Sequence, residues 1–496
     1  MNIVVVGSGP AGVSVAKGLL ERGCKVTLLD AGNVLESDKQ NLLQQIRLNN
    51  VAIMHPSLRS PSNNKKKPKL PYGSNFVYAG VKNHFRWKIK NCYFQPSFAK
   101  GGLSNVWGSV LREYSQHELN DWPRACQDLS SYYARILAWL GPYYTPDTSD
   151  LLSQQARYLK NRWEENKFEL GKKGFSLQTT KLACDFKQCC FCGSCQYGCP
   201  YGVIYHSSIH LNLLKQDPNF TYVKGAVLEN FSEKGQQVEL LVKYERGIER
   251  LFADRLFVAC GAGLSSMLYL RSLGQSDKQL TLKDSQHFIL PCLLDIPVKD
   301  VTKEELHTLC QLNLSLSKVT ISPYSIYMQI YTYMDLYQRE VQSKFKYLYP
   351  LVQPLIKSWM ERLVIIQGYL DSKESNSLIF KNQEDGEYLI KTHKVTSSAS
   401  TINAAINYLK QQGAYLGIKP LRFLLSKSLT GQSNHIGGSL PMSDNPYQDE
   451  VDIWGRPCHF KRIHFVDGSI LPSIPAGPIT LTIMANAYRI GKEGPL

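Results

Sequence analysis

Six of the 13 cysteines lie between Cys184 and Cys199. Read from Cys189, the segment is Cys189-x2-Cys192-x2-Cys195-x3-Cys199-Pro200, the spacing with which ferredoxin loops hold an iron–sulfur cluster. Short glycine-containing spacers let several thiolates converge on one group. In two-cluster ferredoxins the fourth cysteine of such a run serves the other cluster, and only one run is present here. The fourth ligand is therefore open between Cys199, Cys184 and Cys190, or the cluster has three irons. Zinc is a rival, because Cys192 and Cys195 are followed by His206 and His210. The ten intervening residues are short of the usual ~12, however. Reduced structural thiols or a disulfide are the remaining readings.

A second constellation opens the chain. Gly7-Ser8-Gly9-Pro10-Ala11-Gly12 is the GxGxxG pattern of a dinucleotide loop. Gly7 permits the tight turn, Gly9 lets backbone approach a pyrophosphate, and Gly12 lets helix and strand pack closely. Helix N-terminal N–H groups then face the phosphates. Asp30 stands where an acid binds ribose hydroxyls. The elements that must position these residues are legible around them. Ile3–Val6 is a β-branched run suited to a buried parallel strand, Val13 to Leu20 has a helical apolar face, and Lys25–Leu29 is a second strand. The motif leaves FAD and NAD both open.

Near the other end, Arg462–Ser469 reads as a strand ending in Asp467-Gly468. A Pro/Gly-rich turn follows, and then a closing helix that begins at Thr480. A second helix N-terminus is thus offered to a cofactor.

The whole chain has 496 residues, 43% hydrophobic and 20% charged, which is globular composition. Its apolar stretches are short of the ~18–20 residues that span a bilayer. The N-terminus has no basic region or small-residue cleavage site, so a cytoplasmic protein is expected. With 57 Lys+Arg against 41 Asp+Glu the formal charge is +16, which suits an acidic partner or an anionic substrate. The densest run, Lys65-Lys66-Lys67-Pro68-Lys69, reads as a solvated loop. No nucleic-acid-binding motif accompanies it, so no nucleic-acid partner is expected.

These segments together resemble the GMC (glucose–methanol–choline) FAD-dependent oxidoreductases. The resemblance rests on Asn434-His435-Ile436-Gly437-Gly438, on Val466-Asp467-Gly468-Ser469 and on Pro478-Ile479-Thr480-Leu481-Thr482-Ile483-Met484-Ala485. It rests also on Lys100–Gly108, similar to the family's flavin-contacting loop, on Asp121-Trp122-Pro123 with Tyr132-Tyr133, and on Leu256–Gly263. The cysteine segment is similar to that of the family's iron–sulfur sugar dehydrogenase catalytic subunits, whose three-iron spacing Cys189, Cys195 and Cys199 reproduce; Cys192 is extra.

The resemblance implies an α/β fold, with a Rossmann-like FAD-binding domain and an interleaved α+β substrate domain. The corresponding divisions are 1–275, 276–430 and 431–496. It implies FAD held at its ADP part by Gly7, Gly9, Gly12 and Asp30. Gly102, Ser104 and Asn105 would lie near the flavin ring, and Asp467, Gly468 and Thr480 near the pyrophosphate and ribityl. Val106 stands where some relatives attach flavin through histidine, so the flavin is expected to be non-covalent. His435 takes the catalytic place, where a near-neutral pKa suits handling a hydroxyl proton. The family's second His or Asn is replaced by Pro478, which has no donor; His464 and Asn434 are candidates to compensate.

The expected activity is oxidation of an alcohol or sugar hydroxyl, with electrons leaving through the cluster to a carrier protein. A reductase or desaturase acting on C=C bonds and a non-catalytic flavin-binding redox or assembly protein are the alternatives.

Overall fold

The computed structural model describes residues 1–49, 68–338, 356–395 and 397–496. Lys65, Lys66 and Lys67 lie outside the described residues.

The strand Asn2–Val6 is buried along its β-branched run, as the middle of a parallel sheet requires. Lys25–Asp30 lies on one side of it and Arg255–Val258 on the other. Phe220–Lys224 and Ile463–Phe465 form the edges of this five-stranded parallel sheet. The strand that leads to Asp467 thus sits two places from the strand that leads to Gly7.

The helices at the two ends of the chain, Pro10–Leu20 and Thr480–Glu493, pack on each other through glycines. A Cβ on Gly18 would stand 2.6 Å from the Tyr488 carbonyl oxygen, and one on Gly491 would stand 2.4 Å from that of Val15. Arg22 adds hydrogen bonds to the carbonyls of Gly491 and Gly494 at 3.2 and 2.7 Å.

The second layer is an antiparallel sheet. Its order is Ile418–Pro420, His287–Leu294, Leu363–Tyr369, Ile326–Tyr331, Leu312–Leu316 and Phe175–Thr179, with Ser426–Lys427 pairing beside them. The expected substrate segment 276–430 is therefore joined by a strand from much earlier in the chain. Alternation divides the sheet into two faces. Phe288, Leu290, Met328, Ile330, Val364 and Ile366 pack against the helices Gln154–Lys172 and Ser398–Gln411 in one apolar core. The opposite face carries His287, Tyr369 and Tyr327 in register across three strands, then Gln367 beside Gln329. His287, Gln329, Tyr327 and Tyr369 are buried too, the two tyrosines at 6% exposure, and Gln367 is half-buried. This polar and aromatic face therefore meets protein instead of solvent. A further sheet carries Gln279–Asp284 next to Ile436–Gly437, which brings its end to the His435 loop. No described helix is long and apolar enough to cross a membrane.

Candidate active site

The glycine loop, Asp30 and the Asp467 turn all lie at the C-terminal ends of the parallel strands, where open α/β sheets take their ligands. Gly7 has φ +101°, and a Cβ there would stand 2.4 Å from the Ala259 carbonyl oxygen. One on Gly12 would stand 1.8 Å from the Gly7 carbonyl oxygen, so both glycines close the turn on itself. Gly9 is different: a Cβ there would meet nothing within 4 Å. That bare side of the loop is the room a pyrophosphate needs. Gly102 has φ +58°, and its Cβ would stand 3.3 Å from the Gly9 Cα, so the second loop closes over the first.

Asp30 is buried and held by three donors. Ser8 donates from its hydroxyl at 2.5 Å and from its backbone N–H at 3.4 Å, and the Tyr222 hydroxyl donates at 3.1 Å. Burial pushes this carboxyl up to about 6 despite those bonds. The Ser8 hydroxyl also accepts from Gly101 N–H at 2.8 Å and so couples the two loops.

Ser104 and Asn105 work within their loop. The Ser104 hydroxyl donates to the Gly101 carbonyl at 2.5 Å and accepts from Ser207 N–H at 2.9 Å. Asn105 donates to the carbonyls of Lys100 and Gly102 at 3.0 and 2.7 Å. Asp467 also acts as a brace. It accepts from Gly261 N–H at 2.8 Å, the Ser265 hydroxyl at 2.5 Å and Ser469 N–H at 2.9 Å. Gly468 then lies against Ala262 and Ile483, in the first turn of the helix that Thr480 opens. The helices starting at Pro10, Ala262 and Thr480 have no side-chain cap, which leaves their N-terminal N–H groups for a ligand. The residues present therefore fit a bound dinucleotide.

His435 sits on a loop laid over the Asp467 turn. A Cβ on Gly437 would stand 2.2 Å from the Gly468 carbonyl oxygen, and Gly438 N–H donates to that oxygen at 2.9 Å. The buried Asp284 carboxylate anchors the loop, accepting from Gly431 N–H at 2.7 Å and from the Ser433 hydroxyl at 2.5 Å. Ser433 in turn accepts from His435 N–H at 2.9 Å. The Tyr369 ring lies 4.9 Å from the His435 ring and 4.8 Å from that of His287. Burial, with the charges of His287 and Arg112 nearby, holds His435 down to about 3, so it is neutral at working pH. Its Nδ1 is buried without a partner. Burial raises the Tyr369 phenol, which keeps its proton. Arg112 completes the surroundings: its guanidinium lies over Tyr327, pairs with Glu118, and leaves Nη1 buried and unpartnered.

The two residues expected to compensate for Pro478 are placed otherwise. His464 is fully buried in the parallel sheet, stacked on Phe257 at 4.6 Å and bonded to the Trp454 carbonyl at 2.9 Å. Asn434 is exposed with φ +58° and serves the turn. The side chain that meets this corner is Tyr327, against which Gly477 packs with φ +108°.

Cys184, Cys189, Cys190, Cys192, Cys195 and Cys199 line one pocket. Burial first, then neighbouring thiols, pushes Cys189 up to about 12; burial and Cys199 push Cys195 up to about 11. Among the described residues, no three His, Cys, Asp or Glu side chains are placed to hold a metal ion. The zinc arrangement fails for a further reason. His210 uses both nitrogens, on the Tyr205 hydroxyl at 2.8 Å and the Trp139 carbonyl at 3.0 Å. All thirteen cysteines are free, which removes the disulfide reading. The pocket adjoins the site: Cys184, Cys189, Cys195 and Cys199 share an apolar cluster with Tyr331, whose hydroxyl faces Gly108 just beyond the second glycine loop.

Sequence reasoning missed the tyrosine face, the Asp284–Ser433 anchor and Arg112. The alternation in Tyr327-x-Gln329-x-Tyr331 and Gln367-x-Tyr369 was a usable signal for the first. Asp284 and Arg112 carry no local pattern.

Residues 390–487 match the family model of GMC oxidoreductases, and residues 2–57 match that of pyridine nucleotide-disulphide oxidoreductases. No curated protein matches the chain. Among similar solved structures is that of pyridoxine 4-oxidase from Mesorbium loti. It has 15% sequence identity and a TM-score of 0.64, and the match covers 99% of this chain and 98% of that one. At that identity the likeness is one of fold. The two matched segments and the fold together support a flavin-dependent oxidoreductase of the GMC type.

Proposed function

We propose that this protein oxidises an alcohol, with His435 taking the hydroxyl proton. The observation that carries the reading is a neutral histidine, its Nδ1 unpartnered, on a loop braced against the Asp467 turn of the dinucleotide cradle. Bound FAD would supply the hydride acceptor. Gly7, Gly9, Gly12, Asp30, Gly102, Gly468 and the start of the helix at Thr480 would hold it. Ser104, Asn105 and Asp467 shape the loops that do so, and Val106 leaves it non-covalent.

His435 is in the form that accepts a proton, and Tyr369 keeps its own to donate to the substrate oxygen. Tyr369 and Tyr327 thereby supply the clamp that Pro478 lacks. The ring-rich face of His287, Tyr369 and Tyr327 suits a planar or cyclic alcohol. Pyridoxine, after which the similar oxidase is named, is one such alcohol, and sugars are another.

A second part of the reading concerns the thiol pocket. In a cluster each thiolate binds a different iron, so the thiolates need not converge as four ligands of one ion do. Cys189, Cys192, Cys195 and Cys199 are the ligands that the spacing gives. Their place beside Tyr331 supports one-electron exit from the flavin site to a carrier protein.

Anaerobic FAD-loaded protein tests the first part, mixed in turn with pyridoxine, simple aromatic alcohols and sugars. One class should bleach the flavin absorbance. His435→Ala should keep its FAD and bleach about 10²–10⁴-fold more slowly. Bleaching at the wild-type rate by that variant would remove the role of His435. No bleaching by any alcohol would remove the reaction.

A further inference from the structure

We propose that His287 reads a second hydroxyl on the substrate, beside the one whose proton His435 takes, so that the alcohol is a cyclic diol or polyol. The proposal rests on the reading of His435 above and deepens it by naming the substrate class.

The His287 ring is buried and stacks on the Tyr369 ring at 4.8 Å, and the His435 ring lies 4.9 Å from the same phenol. One nitrogen of each histidine, Nε2 of His287 and Nδ1 of His435, is buried with no hydrogen-bond partner. The backbone ties the two together: Ser285 N–H, two residues before His287, donates to the His435 carbonyl at 3.3 Å. Two unmet nitrogens thus sit on rings that pack on one phenol. Burying them is costly unless a further group bonds them. Once His435 engages the reacting hydroxyl, His287 is left for a second polar group of the same molecule.

The direction of Nε2 follows from the strands. His287–Leu294 has Ser426–Lys427 on one side and Leu363–Tyr369 on the other. Nδ1 is tied to the Ser428 hydroxyl at 2.8 Å, one residue past Ser426–Lys427. Ser428 N–H also donates to the His287 carbonyl at 3.0 Å. The other ring nitrogen is therefore turned away from that strand, toward the side that carries Tyr369. The Gln367 amide shares this face and lies beside the ring without hydrogen-bond geometry.

The chemistry of Nε2 selects its ligand. Burial holds the ring neutral, down to about 4, so it offers no charge to an anion. The Ser428 hydroxyl can donate to Nδ1 or accept from it, which leaves Nε2 with a lone pair or an N–H. A hydroxyl both donates and accepts, so it meets either form. An apolar substituent meets neither.

The test reads binding apart from reaction. 1-Methylcyclohexanol and 1,2-dimethylcyclohexane-1,2-diol are tertiary alcohols with no hydride to give. Calorimetric titration of the full-length, FAD-loaded protein therefore measures their affinities without turnover. Wild type should bind the diol about 10-fold more tightly than the mono-alcohol. Asn places its amide where Nδ1 stands and keeps the Ser428 bond, whereas Gln places its amide where Nε2 stands. His287→Asn should therefore lose the preference and His287→Gln should keep it, with FAD content reporting the fold of each. A purely structural histidine predicts the reverse order. Equal binding of the two compounds by wild type would overturn the proposal, as would a preference kept by His287→Asn. A preference for the diol in binding, with no flavin bleaching by cyclohexanol or cyclohexane-1,2-diol, would instead remove the oxidation reading and leave His287 as a hydroxyl-binding group.

Discussion

Replacing Asp284 by Asn perturbs the anchor of the His435 loop without changing its size. Two effects oppose each other. Burial raises this carboxyl from 3.8 to about 6, so the folded state binds the proton more tightly than the unfolded chain. The stabilisation is complete below pH 4 and is lost as pH rises through about 6. The shift corresponds to about 3 kcal/mol at 1.36 kcal/mol per unit. Asn lacks the ionisation and so escapes that loss. It also gives up one of the acceptors serving Gly431 N–H and the Ser433 hydroxyl, which costs about 1–3 kcal/mol at every pH. Asp284→Asn should therefore melt below wild type near pH 4, and the gap should close or reverse as pH rises through about 6, then hold constant. Taking the difference between the two proteins cancels the other buried carboxyls and histidines, which titrate in both. The assay is the melting temperature of each protein across that range. A difference that stays constant, or widens as pH rises, would refute the assignment of Asp284 as a buried, reluctantly ionised anchor.

Other outcomes follow from the same geometry. Gly9→Ala should leave the melting temperature of FAD-free protein within the effect of about 0.5 kcal/mol, because its Cβ meets nothing, yet weaken FAD binding measured by titration. Gly12→Ala, whose Cβ would stand 1.8 Å from the Gly7 carbonyl oxygen, should disrupt the fold itself, read as a large fall in melting temperature. Gly491→Ala should push the two terminal helices apart and cost about 1–3 kcal/mol in denaturant unfolding. Tyr369→Phe should lower kcat with FAD content unchanged, since it removes the hydroxyl but keeps the ring beside His435.

The parallel sheet and its cradle were legible because their signals are local. A β-branched run, three glycines at fixed spacing and an Asp-Gly turn each report on the few residues around them. The closing helix was legible for the same reason. What the spacing did not disclose depends on chain segments meeting across the fold. Strand Phe175–Thr179 joins a sheet whose other strands lie beyond residue 280, and Tyr327 reaches the corner at Gly477 only once that sheet folds. Ser104, Asn105 and Asp467 stood out in the sequence only through the motifs they belong to. That their side chains brace loops is visible only from their hydrogen bonds. His464 illustrates the converse, since its neighbours in sequence suggested chemistry and its place on an edge strand gives it a packing role. The domain matches at 2–57 and 390–487 fall on the same two ends that carried the sequence signal.

The central claim is that the glycine loop at the start of the chain and the Asp467 turn near its end close on one molecule of FAD. Denaturing the purified, FAD-saturated and desalted protein and measuring the released flavin tests this most directly. The account predicts one equivalent of intact FAD per chain, freed without proteolysis. Folded protein that retains no flavin after desalting, or that binds nicotinamide dinucleotide in its place, would contradict it.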